Sequence, residues 1–268
     1  MAAKLEKGIS MEKHNIVANL NDKATYETFL SKSRHSIPIL FEDNHLLIVV
    51  KPDGILSQSD GSDSPDMLTL LKEYIKIKSN KPGDVFLGLV HRLDRPVSGV
   101  MVFAKTSKSA SRISEQIREK KVAKSYFAIV HGTLLKTEGK LQSKLLKNSN
   151  NIVSEEEDGK EAILYYHLVE TNKEKNISLM DIKLETGRSH QIRVQLSNMG
   201  NPILGDKKYG DLLESYKGEI ALFSYSFVFK HPTKDIEINV NVIPLFKQEW
   251  RTFSSAFREM EVTKETVS

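Results

Sequence analysis

Short apolar runs, alternating or rich in β-branched residues, recur from Ile37 to Val242, with polar turns between most of them. That pattern constrains the fold more than any other feature of the chain. Strands alternating regularly with helices would signal a doubly wound parallel sheet, whereas neighbouring strands joined by short polar turns signal antiparallel pairing. Strands are expected at 37–41, 46–50, 100–104, 124–131, 162–169, 177–184, 220–229 and 236–242. From Ile37 onward, helical spacing is found in three places: after the Ser64-Pro65 start signal, over 107–119, and over 189–198 before Gly200 and Pro202. The expectation is one α+β domain with a large mixed, mostly antiparallel sheet flanked by helices and loops. Residues 1–35 read as an N-terminal extension in which Tyr26, Phe29 and Leu30 form one short docking helix. Residues 36–253 form the body, and 254–268 a charged C-terminal tail.

At 268 residues the chain can bury an ample core without staples. It has no Cys, which excludes disulfides, thiolate chemistry and sulfur-held metals. No apolar run approaches the roughly 20 residues of a membrane span, and the first residues lack the apolar stretch of a secretory signal, so a cytoplasmic, monomeric protein without a membrane partner is expected. Phosphate-loop, dinucleotide, zinc-protease and nucleophile-elbow motifs are absent, so neither a cofactor nor a metal is expected. The net charge is only +4, but from Met101 to Asn150 eleven Lys and Arg face three Glu. A surplus so concentrated suits a phosphate backbone, although a solvated Lys-rich face has the same composition.

Two stretches are polar where the pattern calls for core. In the first, His91-Arg-Leu-Asp-Arg followed by Ser98-Gly99, Asp94 sits between Arg92 and Arg95 among apolar neighbours. Burial raises a carboxylate pKa and guanidinium groups lower it, an opposition common at working sites and found also in structural ion pairs. In the second, Thr186-Gly-Arg-Ser-His-Gln-Ile-Arg-Val, helical spacing puts His190, Arg193 and Ser197 on one side and Ile192, Leu196 and Met199 on the other. A His and an Arg at a helix start suit an anion. Between the two stretches, strand alternation separates Tyr126, Ala128 and Val130 from Phe127 and Ile129. Tyr126 could stack on a nucleobase, though strand aromatics more often pack in the core.

These segments together resemble the RluA family of RNA pseudouridine synthases, in order and over most of the chain. Besides the two stretches, Lys51-Pro-Asp-Gly, Tyr126-Phe-Ala-Ile-Val-His-Gly, Pro202-Ile-Leu-Gly-Asp-Lys-Lys-Tyr-Gly and Phe229-Lys-His-Pro fit the family template. An S4 RNA-binding domain, present in some members, is not recognisable in residues 1–35.

The resemblance implies isomerisation of specific uridines in structured ribosomal or transfer RNA. The N1–C1′ bond breaks, the uracil turns, and C5 joins C1′, with no oxidation and no imported group. It implies Asp94 as the essential carboxylate, as nucleophile at the sugar or base at C2′, with Arg193 paired to it and keeping it anionic. Tyr126 would stack on the uracil and assist proton removal from C5. Arg92 would fill the space left by the flipped nucleotide, and Arg188 and His190 would bind substrate. Base extrusion costs a few kcal/mol, which phosphate contacts would offset. Two other classes stay open at this point: a non-catalytic RNA-binding or RNA-folding protein on the same fold, and a nucleoside hydrolase, which would usually need a second positioned acid.

Overall fold

The computed structural model describes residues 12–80, 83–210, 216, 218–244 and 247–265. The first part of the chain supplies four strands, β1 (Glu12–Asn19), β2 (Glu27–Leu30), β3 (Ser36–Glu42) and β4 (Leu46–Lys51), before helix α1 (Met67–Ser79). A short β5 (Gly88–Leu89) and a long β6 (Ser98–Ala104) follow, then helix α2 (Ser107–Arg118). Next comes a run of five strands, β7 (Ala123–His131), β8 (Glu138–Lys147), β9 (Val153–Glu155), β10 (Lys160–Asn172) and β11 (Ile177–Leu184). Helix α3 (Gln191–Asn198), strands β12 (Leu222–Lys230) and β13 (Ile236–Ile243), and helices α4 (Gln248–Arg251) and α5 (Ser254–Glu265) complete it.

All the strands join one sheet, ordered β2-β3-β4-β6-β12-β7-β11-β10-β8-β9, with β5 on β6 and a β13–β1 branch on β12. Its neighbours are antiparallel except β6 with β12 and β1 with β13, so it is mixed and mostly antiparallel, as the turn pattern predicts. The Leu-Leu-Ile-Val-Val run of β4 is buried on both faces, which is why it reads as continuous rather than alternating. Helix α1 packs Tyr74 on Phe29 of β2, with ring centroids 5.1 Å apart. It is capped by Asp66, which accepts from the Thr69 N–H at 3.0 Å, two residues past the expected Ser64.

The two chain ends differ from expectation. Residues 26–30 form no helix: β2 pairs antiparallel with β3, burying Phe29 while Leu30 lies exposed. The helical spacing of Tyr26, Phe29 and Leu30 was incidental. Strand β1 runs parallel to β13, so the described part of the expected extension is built into the sheet. The expected charged tail begins as helix α5, whose buried Phe257 meets Phe127 and Trp250 at 5.2 and 6.0 Å.

β6 and β12 approach so closely that only glycine fits at Gly99, which pairs with Ser224 at φ +131°. A Cβ there would stand 2.3 Å from the Ser224 carbonyl oxygen and 2.5 Å from its nitrogen, both backbone atoms. Gly99→Ala is therefore expected to cost about 3 kcal/mol or more, from overpacking and a positive φ together. Urea unfolding measures it; a midpoint within experimental error of wild type would mean that the two strands separate freely.

Candidate active site

A cleft of about 520 Å³ opens on the face of the sheet carrying Lys124 and Tyr126. Strand period two sends Phe127 to the opposite face, where it stacks on Tyr225 at 3.8 Å and meets α5. The loop before β6 and the loop before α3 supply the other walls. All six residues singled out from the sequence, Arg92, Asp94, Tyr126, Arg188, His190 and Arg193, line this one cleft.

Asp94 lies on a loop pinned from behind. Ser57 Oγ accepts from the Leu93 N–H at 3.1 Å and donates to the Leu93 carbonyl at 2.7 Å. The buried Lys51 donates to the carbonyls of Pro52, Ile55 and Arg95 at 2.8, 2.7 and 2.9 Å. Burial pushes Lys51 down to about 7, against the charges of Asp53 and Asp94, yet three carbonyl acceptors use all three ammonium N–H bonds and favour the charged form. On the other side of Asp94, His91 Nε2 accepts from the Val102 N–H at 2.9 Å and its ring packs on Phe227. The Asp94 carboxylate is left facing the cleft with 28% of its side chain exposed.

Burial pushes the His91 pKa well below its usual 6.5, and nearby Lys124 adds to this. Because the unfolded chain binds that proton more readily, His91 contributes stability above pH 6.5 that is lost as pH falls below it. Wild type should lose urea midpoint between pH 7 and pH 5, and His91→Asn, which can still accept from Val102, should lose less. Equal losses in the two proteins would show that His91 does not carry this dependence.

Helix α3 is buried from Gln191 to Leu196, so Gln191, Arg193 and Gln195 face protein rather than solvent. Arg193, 7% exposed at the side chain, reaches two carboxylates. Its Nη1 donates to Asp94 Oδ2 at 3.2 Å, while Nε and Nη2 grip Asp206 at 2.8 and 2.7 Å. Burial opposes the guanidinium charge, but Asp206 and Asp94 outweigh it and raise the pKa. This geometry uses the planar fork of Arg and would not survive exchange for Lys. Asp206 is 1% exposed and also accepts from the Lys208 and Tyr209 N–H groups at 3.1 and 3.3 Å.

The loop leading into α3 is secured by Gln191, whose Oε1 accepts from the Arg188 N–H and the Thr186 hydroxyl at 3.0 and 2.9 Å. Arg188 itself bonds the Glu161 carbonyl at 2.8 Å. His190 adopts the left-handed conformation, φ 54°, and places Nε2 3.8 Å from Asp94 Oδ2. Tyr126 is 7% exposed, and burial, with the charge of Asp94, pushes its phenol up to about 12 against a bond to Ser224. A phenol raised in this way is neutral at pH 7, so the group is a ring face and a neutral hydroxyl. Lys124, pushed down to about 8 by burial, adds a cation beside it.

The basic block divides between the cleft and ion pairs elsewhere. Lys124 and Lys147 line the cleft, but Lys105 pairs with Glu42 at 2.6 Å, Lys120 with Glu185 at 3.1 Å and Lys121 with Glu119 at 2.8 Å. Sequence reasoning also left Lys51, Ser57, Asp206 and Tyr209 without roles. Lys51, Asp206 and Tyr209 lie in segments that fit the template, but only tertiary contacts reveal what they hold.

A family model described as RNA pseudouridylate synthase matches residues 45–198. Ribosomal large subunit pseudouridine synthase C of Buchnera aphidicola from Schizaphis graminum is 38% identical over 220 residues, covering 77% of this chain and 67% of the relative. An uncharacterized RNA pseudouridine synthase of Aquifex aeolicus is 31% identical over 236 residues, covering 84% of this chain and 73% of the relative. The chain thus spans about two thirds to three quarters of the length of these relatives. Human RNA pseudouridylate synthase domain containing 4 shares the fold, with a TM-score of 0.66 at 22% identity over 82% of this chain and 92% of that one.

Proposed function

This chain belongs to the RNA pseudouridylate synthase family, and from that premise we propose that it isomerises uridine to pseudouridine in RNA of the large ribosomal subunit, with Asp94 as the reacting carboxylate. The observation that carries this reading is a cleft-facing carboxylate with a buried guanidinium 3.2 Å away. An anion so placed can attack C1′ or take a proton from C2′, and the guanidinium offers the electrostatic partner that either role needs.

The remaining wall residues fit an extruded nucleotide. Tyr126 offers its ring to the uracil, and its high pKa favours that contact over service as the base at C5. Arg92 and Arg188 line the same cleft, Arg92 to fill the space left by the flipped nucleotide and Arg188 to bind substrate. Ribosomal RNA as substrate is supported by the name of the Buchnera relative; it implies action in the cytoplasm. No helix among the described residues is long and apolar enough to cross a membrane.

Isomerisation exchanges the hydrogen at C5 for a carbon–carbon bond, so the C5 hydrogen enters water and N1 ends protonated. Incubation with large-subunit ribosomal RNA carrying 5-tritiated uridine should release tritium without releasing free uracil. Free uracil would identify a hydrolase, and binding with neither release would identify an RNA-binding protein without this chemistry.

A further inference from the structure

We infer that Tyr209 is a positioning residue for the isomerisation, holding His190 as the Nε2–H tautomer so that this N–H faces Asp94 and the substrate oxygen beside it; the catalytic half of this inference rests on the function proposed above. His190 Nδ1 is hydrogen-bonded to the Tyr209 hydroxyl. That hydroxyl also accepts from the Val153 N–H at 3.0 Å. On the far side of the ring, Nε2 looks toward Asp94 Oδ2 at 3.8 Å.

A neutral imidazole has one N–H to place. On Nδ1 it would turn the Nε2 lone pair toward the Asp94 carboxylate and leave the phenol O–H without the acceptor it points at. On Nε2 it gives both contacts a donor: the phenol donates to Nδ1, and Nε2–H faces Oδ2. Burial lowers the ring's pKa and so favours the neutral form, against the charge of Asp94 and with Arg193, Lys208 and Lys147 adding to it. At 3.8 Å the Nε2–H is not yet committed to Asp94, so it is free to engage an oxygen of the nucleoside lying against that carboxylate.

Tyr209 is itself firmly placed. Its carbonyl accepts from the Ser197 hydroxyl and its N–H bonds Asp206 Oδ1. Its ring lies 5.1 Å from the Arg193 guanidinium carbon and packs against a small core of Leu145, Val153, Ala162 and Val194. One loop thus serves both neighbours of Asp94, Asp206 gripping Arg193 and Tyr209 orienting His190.

Tyr209→Phe keeps the ring over Arg193 and removes the hydroxyl alone. The full-length protein labelled with ¹⁵N-histidine reports the tautomer by two-bond proton–nitrogen correlations at pH 7, without RNA. Wild type should show His190 as Nε2–H, and Tyr209→Phe should convert it to a mixture. Single-turnover isomerisation should fall between about 10- and 100-fold in Tyr209→Phe, and the same substitution should cost less than about 2-fold in a His190→Ala background. An Nδ1–H or doubly protonated His190 in wild type, an unchanged tautomer in Tyr209→Phe, or an equal loss in both backgrounds would overturn the inference. The wild-type spectrum needs no variant to fold. A wild-type protein that shows the expected tautomer but isomerises nothing would overturn the proposed function while leaving the tautomer assignment standing.

Discussion

Asp94→Asn is expected to yield a folded protein that still binds ribosomal RNA but releases tritium from 5-tritiated uridine at least about 10⁴-fold more slowly than wild type. The substitution is close to isosteric, and the surroundings are built to absorb it. Arg193 is held by two bonds to Asp206, so the guanidinium stays in place when the charge at position 94 disappears. The loop keeps its bonds to Ser57 and Lys51, none of which involves the Asp94 side chain. An amide oxygen can still accept from Arg193 Nη1, but an amide is neither a useful nucleophile nor a base. The prediction is therefore a loss in the chemical step, with RNA affinity within about threefold of wild type. Residual activity within tenfold of wild type would remove Asp94 from the reaction.

Arg193→Leu carries the second large effect, and it has two parts. Asp206 is 1% exposed, and without the guanidinium it remains as a buried charge with only backbone N–H partners. Breaking a buried pair from one side typically costs about 3–5 kcal/mol, which urea unfolding would register directly. The catalytic part is a loss in kcat/KM of about 10²–10³, the scale seen when a fixed electrostatic partner of a reacting group is removed. The two parts separate in the double variant Arg193→Leu with Asp206→Asn. Neutralising Asp206 should recover much of the stability, because no unpaired charge stays buried, while activity stays lost. Recovery of activity along with stability would reduce Arg193 to a structural residue.

The sheet was readable from the chain because its inner strands carry the signal themselves. Strands β4, β7 and β11 are continuous or alternating apolar runs, and their boundaries match the expected spans within a residue. The outer strands were not readable. In β1 only Ile16, Val17 and Ala18 are apolar, and its extended form comes from parallel pairing with β13, a partner more than two hundred residues away. Strand β8 alternates burial weakly, its inward positions including Gly139 and Ser143. The spacing of Tyr26, Phe29 and Leu30 satisfied a helical template over too few residues to exclude a strand.

The site divides along the same line. Asp94 and Arg193 drew notice because charges stood where core was expected, and the template resemblance joined two segments ninety-nine positions apart. Tyr126 sits where alternation predicts, on the face opposite Phe127. What escaped notice is the layer behind them. Lys51 in a turn-like Lys-Pro-Asp-Gly segment reads as an ordinary surface lysine until three carbonyls converge on its ammonium. Asp206 and Tyr209 occupy a Gly-bounded loop whose local sequence resembles any polar turn, and their importance exists only through α3. The basic block is legible only as a count, because composition does not show that Lys105, Lys120 and Lys121 have acidic neighbours while Lys124 and Lys147 line the cleft.

The most direct test is a pseudouridine map of large-subunit ribosomal RNA from cells lacking the gene, and from the same cells carrying it as wild type or as Asp94→Asn. A pseudouridine that disappears on deletion, returns with wild type and stays absent with Asp94→Asn is the expected result. A map that deletion leaves unchanged, or that Asp94→Asn restores, contradicts the assignment of this carboxylate and this RNA.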